Sequence, residues 1–468
     1  MDRNRNMVRG TRLWNGMLLG ILGGGLALAL WYASARYELP ATPSTAAAPG
    51  GEDAGNADPE RQEADAFARL ALETLRAAGI QGELHYDPER FLIQVPGTDG
   101  QQPLTLFLAN FHAEYRAAPP ERRSEVLQRL LVLHEAPKVP AAYAAVRPEL
   151  LPVLRPRSYF ELLGLLGTGQ DAAQPGTTPV TWRPLGEVMA VALVHDGPET
   201  MRYIDPEQLT RWGVSFDTAH ADALENLRRR SSEPLEMLAP GTCASTWEDN
   251  YATSRLLLDE VVRRCPVRGE PVVLLPHRDL LLITGSKDEQ GLILAAERAE
   301  QALAAPRAQD GRALRLTSSG WVPFLPERGS RAWPAFHRLA TSSLARDYSD
   351  QQERLHQLHE RQGVDIFIAG FVTVEDEGEH EQIRSHAVWV KGIDTLLPQV
   401  DVVFFMDSEL GPEAPPVGVV TWDVVVRDVG HLLVPEPGLY PVRYRLKGFP
   451  SEEQLARWRK QPGVMDVP

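Results

Sequence analysis

VVLLPHRDLLLIT, residues 272–284, consists of two apolar runs, Val272–Leu275 and Leu280–Thr284, on either side of the turn residues Pro276 to Asp279. Short aliphatic runs around a polar turn read as a β-hairpin. Upstream of it, apolar residues at helical spacing predict helices over Pro206–Trp212, Asp217–Arg229 and Thr253–Arg264, and a further helix over Glu289–Leu303 follows. Strand candidates lie at Val188–Val194 and Met201–Ile204. Elements in mixed order, with no regular strand–helix alternation, point to an α+β fold rather than a doubly wound sheet.

Further out on the N-terminal side, Phe67, Leu70, Leu72 and Leu75 give an apolar stripe to a helix over Pro59–Ala78, which Gly79 can stop. Short strands are expected at Glu83–Tyr86, Phe91–Val95 and Leu104–Leu108, then a helix over Glu121–His134 that buries Val126, Leu127, Leu130 and Leu131. On the C-terminal side, Ala304 to Asp310 reads as a break, and Trp321 to Pro334 is rich in proline and glycine. Beyond it, Ser349 and Gln352 form a capping box for a helix that Gly363 can end. Strands are expected at Val364–Val372, Arg384–Val390, Asp401–Met406 and Gly418–Val426, with Trp389 and Trp422 as packing residues. A short helix over Glu452–Arg459 follows.

The first forty residues address location. Arg3, Arg5, Arg9 and Arg12 precede an uncharged, mostly apolar run from Trp14 to Ala33, enough for a helix of about 30 Å, the thickness of a bilayer core. The arginine asymmetry predicts a single-pass protein of a bacterial inner membrane, its N-terminus cytoplasmic and the bulk of the chain outside. The alternative is a cleavable signal peptide, because Ala33-Ser34-Ala35 has the small-x-small spacing of a cleavage site. Gly16, Gly20 and Gly24 recur every fourth residue and would form a packing face for a second helix, hence a homodimer through the membrane. From Pro40 to Asp58 the composition is that of a tether. The expected organisation is a cytoplasmic tail (1–13), an anchor (14–33), a linker (34–58) and two mixed α/β domains (59–330 and 331–468).

Composition narrows the function classes. A formal charge of −15 over 468 residues argues against nucleic acid, which demands a basic surface. Only Cys243 and Cys265 are present, too few for a zinc ribbon or a disulfide framework. They could pair outside the cytoplasm, or remain free thiols held apart by the helix expected between them. No cofactor motif is found. His356 and His359 sit one helical turn apart with no convincing third metal ligand, and the glycines at 164, 167 and 169 lack a leading strand.

The densest polar constellation is Trp247, Glu248, Asp249 and Arg255, followed by His277, Arg278 and Asp279 in the hairpin turn. A histidine beside carboxylates could act as a general base, and either arginine could hold an anion. Capping, ion pairing and a polar turn account for the same residues without a ligand.

Four stretches in succession carry a resemblance: LLPVLRPRSYF (150–160), RYIDPEQLTRWGV (202–214), YATSRLLLDEVV (251–262) and PHRDLLLITG (276–285). Their order and spacing resemble the YtpQ-like bacterial family of unknown function, over roughly residues 80–326. The resemblance implies a mixed α/β domain and brings no activity, cofactor or catalytic residue with it. The leading expectation is a membrane-tethered, non-catalytic module that binds a protein partner. The alternatives are an extracytoplasmic hydrolase using His277, Asp279 and Glu248, and a membrane-assembly scaffold subunit.

Overall fold

The computed structural model describes residues 59–80, 83–88, 91–95, 104–135, 139–166, 180–197, 201–375, 383–411 and 414–460. Within them the chain forms two compact units, one of residues 59–156 and 180–326 and the other of 157–166 and 327–460. The division is not the contiguous one expected. The helix Arg157–Leu166 belongs to the second unit, where Ser158 Oγ donates to Asp347 at 2.7 Å.

The first unit begins with the helix Pro59–Ala77, a three-stranded antiparallel sheet (His85–Asp87, Leu92–Val95, Leu104–Phe107) and the helices Ala109–Ala117 and Arg123–Glu135. Phe67, Leu75, Ile93, Leu106 and Leu130 close this small core. A second antiparallel sheet pairs Leu150–Pro156 and Trp182–Leu185 with the central strand Met189–Asp196, which Met201–Tyr203 also flanks. The third sheet has six strands in the order Gly320–Phe324, Ala308–Thr317, Pro271–His277, Leu280–Gly285, Thr242–Ala244, Glu236–Ala239. The hairpin read from residues 272–284 lies at its centre, with Val272 opposite Thr284. One large core joins the second and third sheets, from Leu150 and Leu193 through Cys243 and Leu256 to Ile283 and Leu314. The helix Glu289–Leu303 approaches this sheet closely at Gly291, where a Cβ would come within 2.3 Å of Thr242 Oγ1. Only glycine fits there.

In the second unit, a four-stranded sheet sets Ile383–Val390 parallel to Val402–Met406, with Val372–Glu375 and Gly418–Thr421 antiparallel at its edges. A second sheet is built on Thr395–Pro398, Arg443–Leu446, Leu433–Pro435 and Phe367–Ile368. Trp389, Phe405 and Trp458 pack in the core, with the Phe405 ring 5.1 Å from each tryptophan. Buried indole N–H groups need acceptors, and Trp458 Nε1 donates to Asp428 at 2.7 Å.

Four expectations are corrected. Among the described residues no helix is long and apolar enough to cross a membrane, and what these residues form is a mixed α/β fold with several sheets, not the anchored α+β class expected. The long helix Trp333–Gln362 is too polar, with charge in successive turns. The run Trp14–Ala33, its Gly16, Gly20 and Gly24 face and the linker lie outside the described residues. That long helix also starts sixteen residues before Ser349, at Trp333, because Pro334 suits a first turn, while Gly363 does end it at φ 63°. The helix expected over Thr253–Arg264 is a 3₁₀ turn, Thr253–Leu257, and one helical turn, Asp259–Val262, with Leu258 extended between them. Bonds to distant backbone and side chains there outweigh helix propensity. Finally, Gly418–Val426 is strand only to Thr421. Val424, Val425 and Val429 then bury one face of the helix Trp422–Val429.

Candidate functional site

Arg255 is fully enclosed. Its Nη1 and Nη2 donate to the two carboxylate oxygens of Asp249 at 2.9 and 2.7 Å, Nε to Ser231 Oγ at 2.9 Å and Nη2 also to the Arg230 carbonyl at 2.8 Å. The guanidinium lies 4.2 Å over the Trp247 ring, a cation–π contact in a dry setting. Burial works against ionisation of Asp249, but the Arg255 bonds and charge and the Tyr251 backbone N–H outweigh it and hold the carboxyl below its ordinary value. Tyr251 donates its phenol to Asp196 at 2.7 Å, and burial followed by that carboxylate pushes the phenol well up.

The hairpin turn is a second cluster. His277 Nε2 lies 2.8 Å from the Pro306 carbonyl, an acceptor only, so this nitrogen carries the proton. Nδ1 then accepts from the Asp279 backbone N–H at 3.2 Å. Both ring nitrogens are engaged by backbone, which leaves no lone pair to take a substrate proton in this arrangement. Asp279 Oδ1 accepts from the Asn250 backbone N–H at 2.6 Å, and Thr253 N donates to the Arg278 carbonyl at 3.4 Å. Those two bonds tie the hairpin turn to the Asp249–Arg255 segment.

Trp247, Asp249 and Arg255 are therefore brought together, as are His277 and Asp279, while Glu248 is exposed and joins neither cluster. His277 Nδ1 lies 3.9 Å from Asp279 Oδ2, and Glu248 forms no hydrogen bond or ion pair with either among the described residues. Cys243 and Cys265 form a disulfide with Cα atoms 6.0 Å apart. No long helix separates them, because the intervening segment doubles back in short turns. His356 and His359 lie in the long helix of the second unit, burial holds both below the usual histidine range, and no group of three or more His, Cys, Asp or Glu among the described residues is arranged to hold a metal.

Sequence reasoning missed the groups that extend the site. Asn250, at φ 65°, accepts through Oδ1 from Arg307 Nη1 at 3.0 Å, and Arg307 Nε reaches Glu114 at 2.5 Å. Glu114 also accepts from Arg129. Burial opposes its ionisation, yet these two arginines hold it below the ordinary glutamate value. Beside this chain of contacts lies an open cleft of about 520 Å³ lined by Glu114, Ala118, Pro119, Val126, Arg129 and Pro306. Glu114 and Arg307 are 193 residues apart, and no local pattern announces such a pair.

Among known proteins, the chain is similar to a UPF0354 protein of Bacillus cytotoxicus, 23% identical over 230 residues, covering 47% of this chain and 78% of that protein. UPF0354 proteins of Bacillus cereus and Bacillus thuringiensis are each 22% identical over 223 residues, covering 46% of this chain and 76% of theirs. Their name denotes an uncharacterised family and is not the YtpQ-like name expected from the motifs. No protein-family model matches the chain, and no solved structure matches it significantly.

Proposed function

We propose that this chain is a non-catalytic module that binds a protein partner and works in an oxidising compartment. The observation that carries the first half is the His277 ring, whose two nitrogens both serve the backbone around it. A general base needs a free lone pair directed at its substrate. The enclosed Arg255, bound to Asp249, Ser231 and Arg230, supports the same reading, since its charge is spent inside the fold. The second half rests on the Cys243–Cys265 bond, because disulfides persist where the surroundings are oxidising. Relatives of an uncharacterised family are consistent with this reading and add no activity to it.

The experiment is His277→Ala in the full chain, read by thermal melting and by turnover of ester, phosphoester and peptide substrates. Loss of the histidine leaves the Pro306 carbonyl and the Asp279 N–H unmet, so stability should fall by about 1–3 kcal/mol. Turnover should be absent in both proteins. A wild-type hydrolytic activity that disappears in a variant of unchanged melting temperature overturns the proposal in favour of a hydrolase. For the compartment, alkylation of intact cells should find both thiols blocked by each other, and free thiols would refute that half.

A further inference from the structure

The cleft of about 520 Å³ in the first unit has room for a short stretch of another chain. Arg122, Val126 and Arg129 line it and follow one another at the i, i+4 and i+7 spacing of one helix face. The two arginines therefore stand about 10 Å apart along the axis, with a buried valine between them. Ala117, Pro119 and Pro306 add short apolar surface from two other segments. The Pro306 side is set in advance. His277 Nε2 donates to the Pro306 carbonyl at 2.8 Å, and the next residue, Arg307, is held at φ 66° by its bonds to Asn250 and Glu114. A non-glycine residue stays in that left-handed region only where its surroundings over-determine it. A ligand meeting a wall already ordered loses less entropy on binding.

Charge is in surplus here. Glu114 is bound by both Arg129 and Arg307, and one carboxylate between two guanidinium groups leaves one positive charge unmatched. Arg129 is 43% exposed, against 27% for Arg307 and 16% for Glu114, so Arg129 presents that surplus to the cleft. It uses Nη2 for Glu114, and Arg122 uses Nε for Glu125, so each keeps further N–H groups without a hydrogen bond among the described residues. In a chain of net charge −15, a cleft of positive balance attracts an anion where most of the surface repels one.

We propose that this cleft docks a short acidic segment of a protein partner, its carboxylates taken by Arg122 and Arg129 and its small apolar side chains set against Val126 and Pro306. The proposal rests on the partner-binding reading and gives it a surface. A segment of chain suits the cleft better than a free acid, because the two cations are separated by apolar surface and are not gathered about one point.

The test is fluorescence anisotropy of the full chain with labelled pools of short peptides, in which Ala, Val and Pro vary around two fixed residues, both Glu, both Gln or both Lys. The Glu pool should bind, and the other two should bind more weakly by roughly ten-fold, the effect of one charge-assisted hydrogen bond. Arg122→Gln, and Arg129→Gln, which leaves Glu114 its bond to Arg307, should each weaken the Glu pool by a similar factor. Ala117→Trp puts a large side chain into the cleft from an exposed position and should abolish binding at an unchanged melting temperature. Arg228→Gln, at an exposed arginine paired with Glu225 and Glu260, should change nothing. No binding of any pool, equal binding of all three, or Glu-pool binding that survives Ala117→Trp overturns the proposal. Glutarate binding by calorimetry that Ala117→Trp removes, with no binding of the Glu pool, overturns it in favour of a small acid. The partner-binding reading stands or falls separately, since what refutes it is hydrolytic turnover lost in His277→Ala.

Discussion

Arg255 and Arg443 are both fully enclosed, yet they are solvated by opposite means. Arg255 has a counter-ion, Asp249, and an aromatic face, Trp247. Arg443 lies over the Tyr348 ring but has no acid among its hydrogen-bond partners. It donates to Gln351 Oε1 at 2.6 Å and to the carbonyls of Ala369, Leu396 and Tyr348 at 2.6, 3.3 and 3.1 Å. Loss of water around the cation is the main influence on Arg443, and it brings the group down to about 10. Arg255 is thus neutralised by an acid, while the charge of Arg443 is spread over neutral dipoles. A paired charge has a single weak point, its partner, whereas a charge held by dipoles has several small ones.

The comparison breaks most visibly at Arg443. Arg443→Ala should cost the second unit about 4 kcal/mol, because it opens a cavity and strands several buried acceptors. Gln351→Ala, which removes one acceptor of four, should cost only about 1 kcal/mol in the same denaturant titration. Equal losses would mean that the side-chain amide alone holds the charge. In the first unit the partner matters more. Asp249→Ala should cost about 3 kcal/mol by leaving Arg255 buried and unpaired, and the double variant Asp249→Ala/Arg255→Met should recover most of it. A double variant as unstable as the single one would show that Ser231 and the Arg230 carbonyl already solvate the cation.

The disulfide offers a comparable effect by another route. Cys243 and Cys265 are separated by 22 positions that include Asp249 and Arg255. Replacing both with serine should cost about 3 kcal/mol in the chain-entropy account, measured as a lower urea midpoint. If Arg255 stayed as protected from exchange as in the parent chain, the ion pair and not the bond would be what orders this loop.

Acid gives the smallest effect and the sharpest contrast. Asp249 and Glu114 titrate below their ordinary values in the fold, so what they contribute is complete above the unfolded carboxylate range, near pH 4. It is lost as the pH falls through the depressed folded values. Stability of the first unit should therefore drop below about pH 4, and Asp249→Asn should flatten that limb. Arg443 is held by groups that do not titrate there, so Gln351→Ala should leave the acid limb unchanged.

The Asp249–Arg255 pair was legible because its members lie six positions apart, close enough to fall in one cluster of the sequence. The hairpin was legible for the same reason, as were the helices Pro206–Trp212 and Glu289–Leu303. The role of the cluster was not. A histidine beside an aspartate has the same sequence signature whether it faces a substrate or the carbonyl of Pro306, 29 residues away. The partners of Arg443 lie 47 to 95 residues from it, and no local period records them.

By itself the sequence determined what depends on near neighbours: apolar period, turn chemistry and the stops at glycine. Tertiary structure decided what depends on distant groups meeting. It turned the segment after Thr253 into short turns, closed Cys243 onto Cys265 and placed the helix Arg157–Leu166 with the C-terminal unit. The physical reason is that local propensities amount to tenths of a kcal/mol per residue, while burying or stranding a charge involves several. Where the two conflict, long-range contacts prevail, and no sequence window contains them.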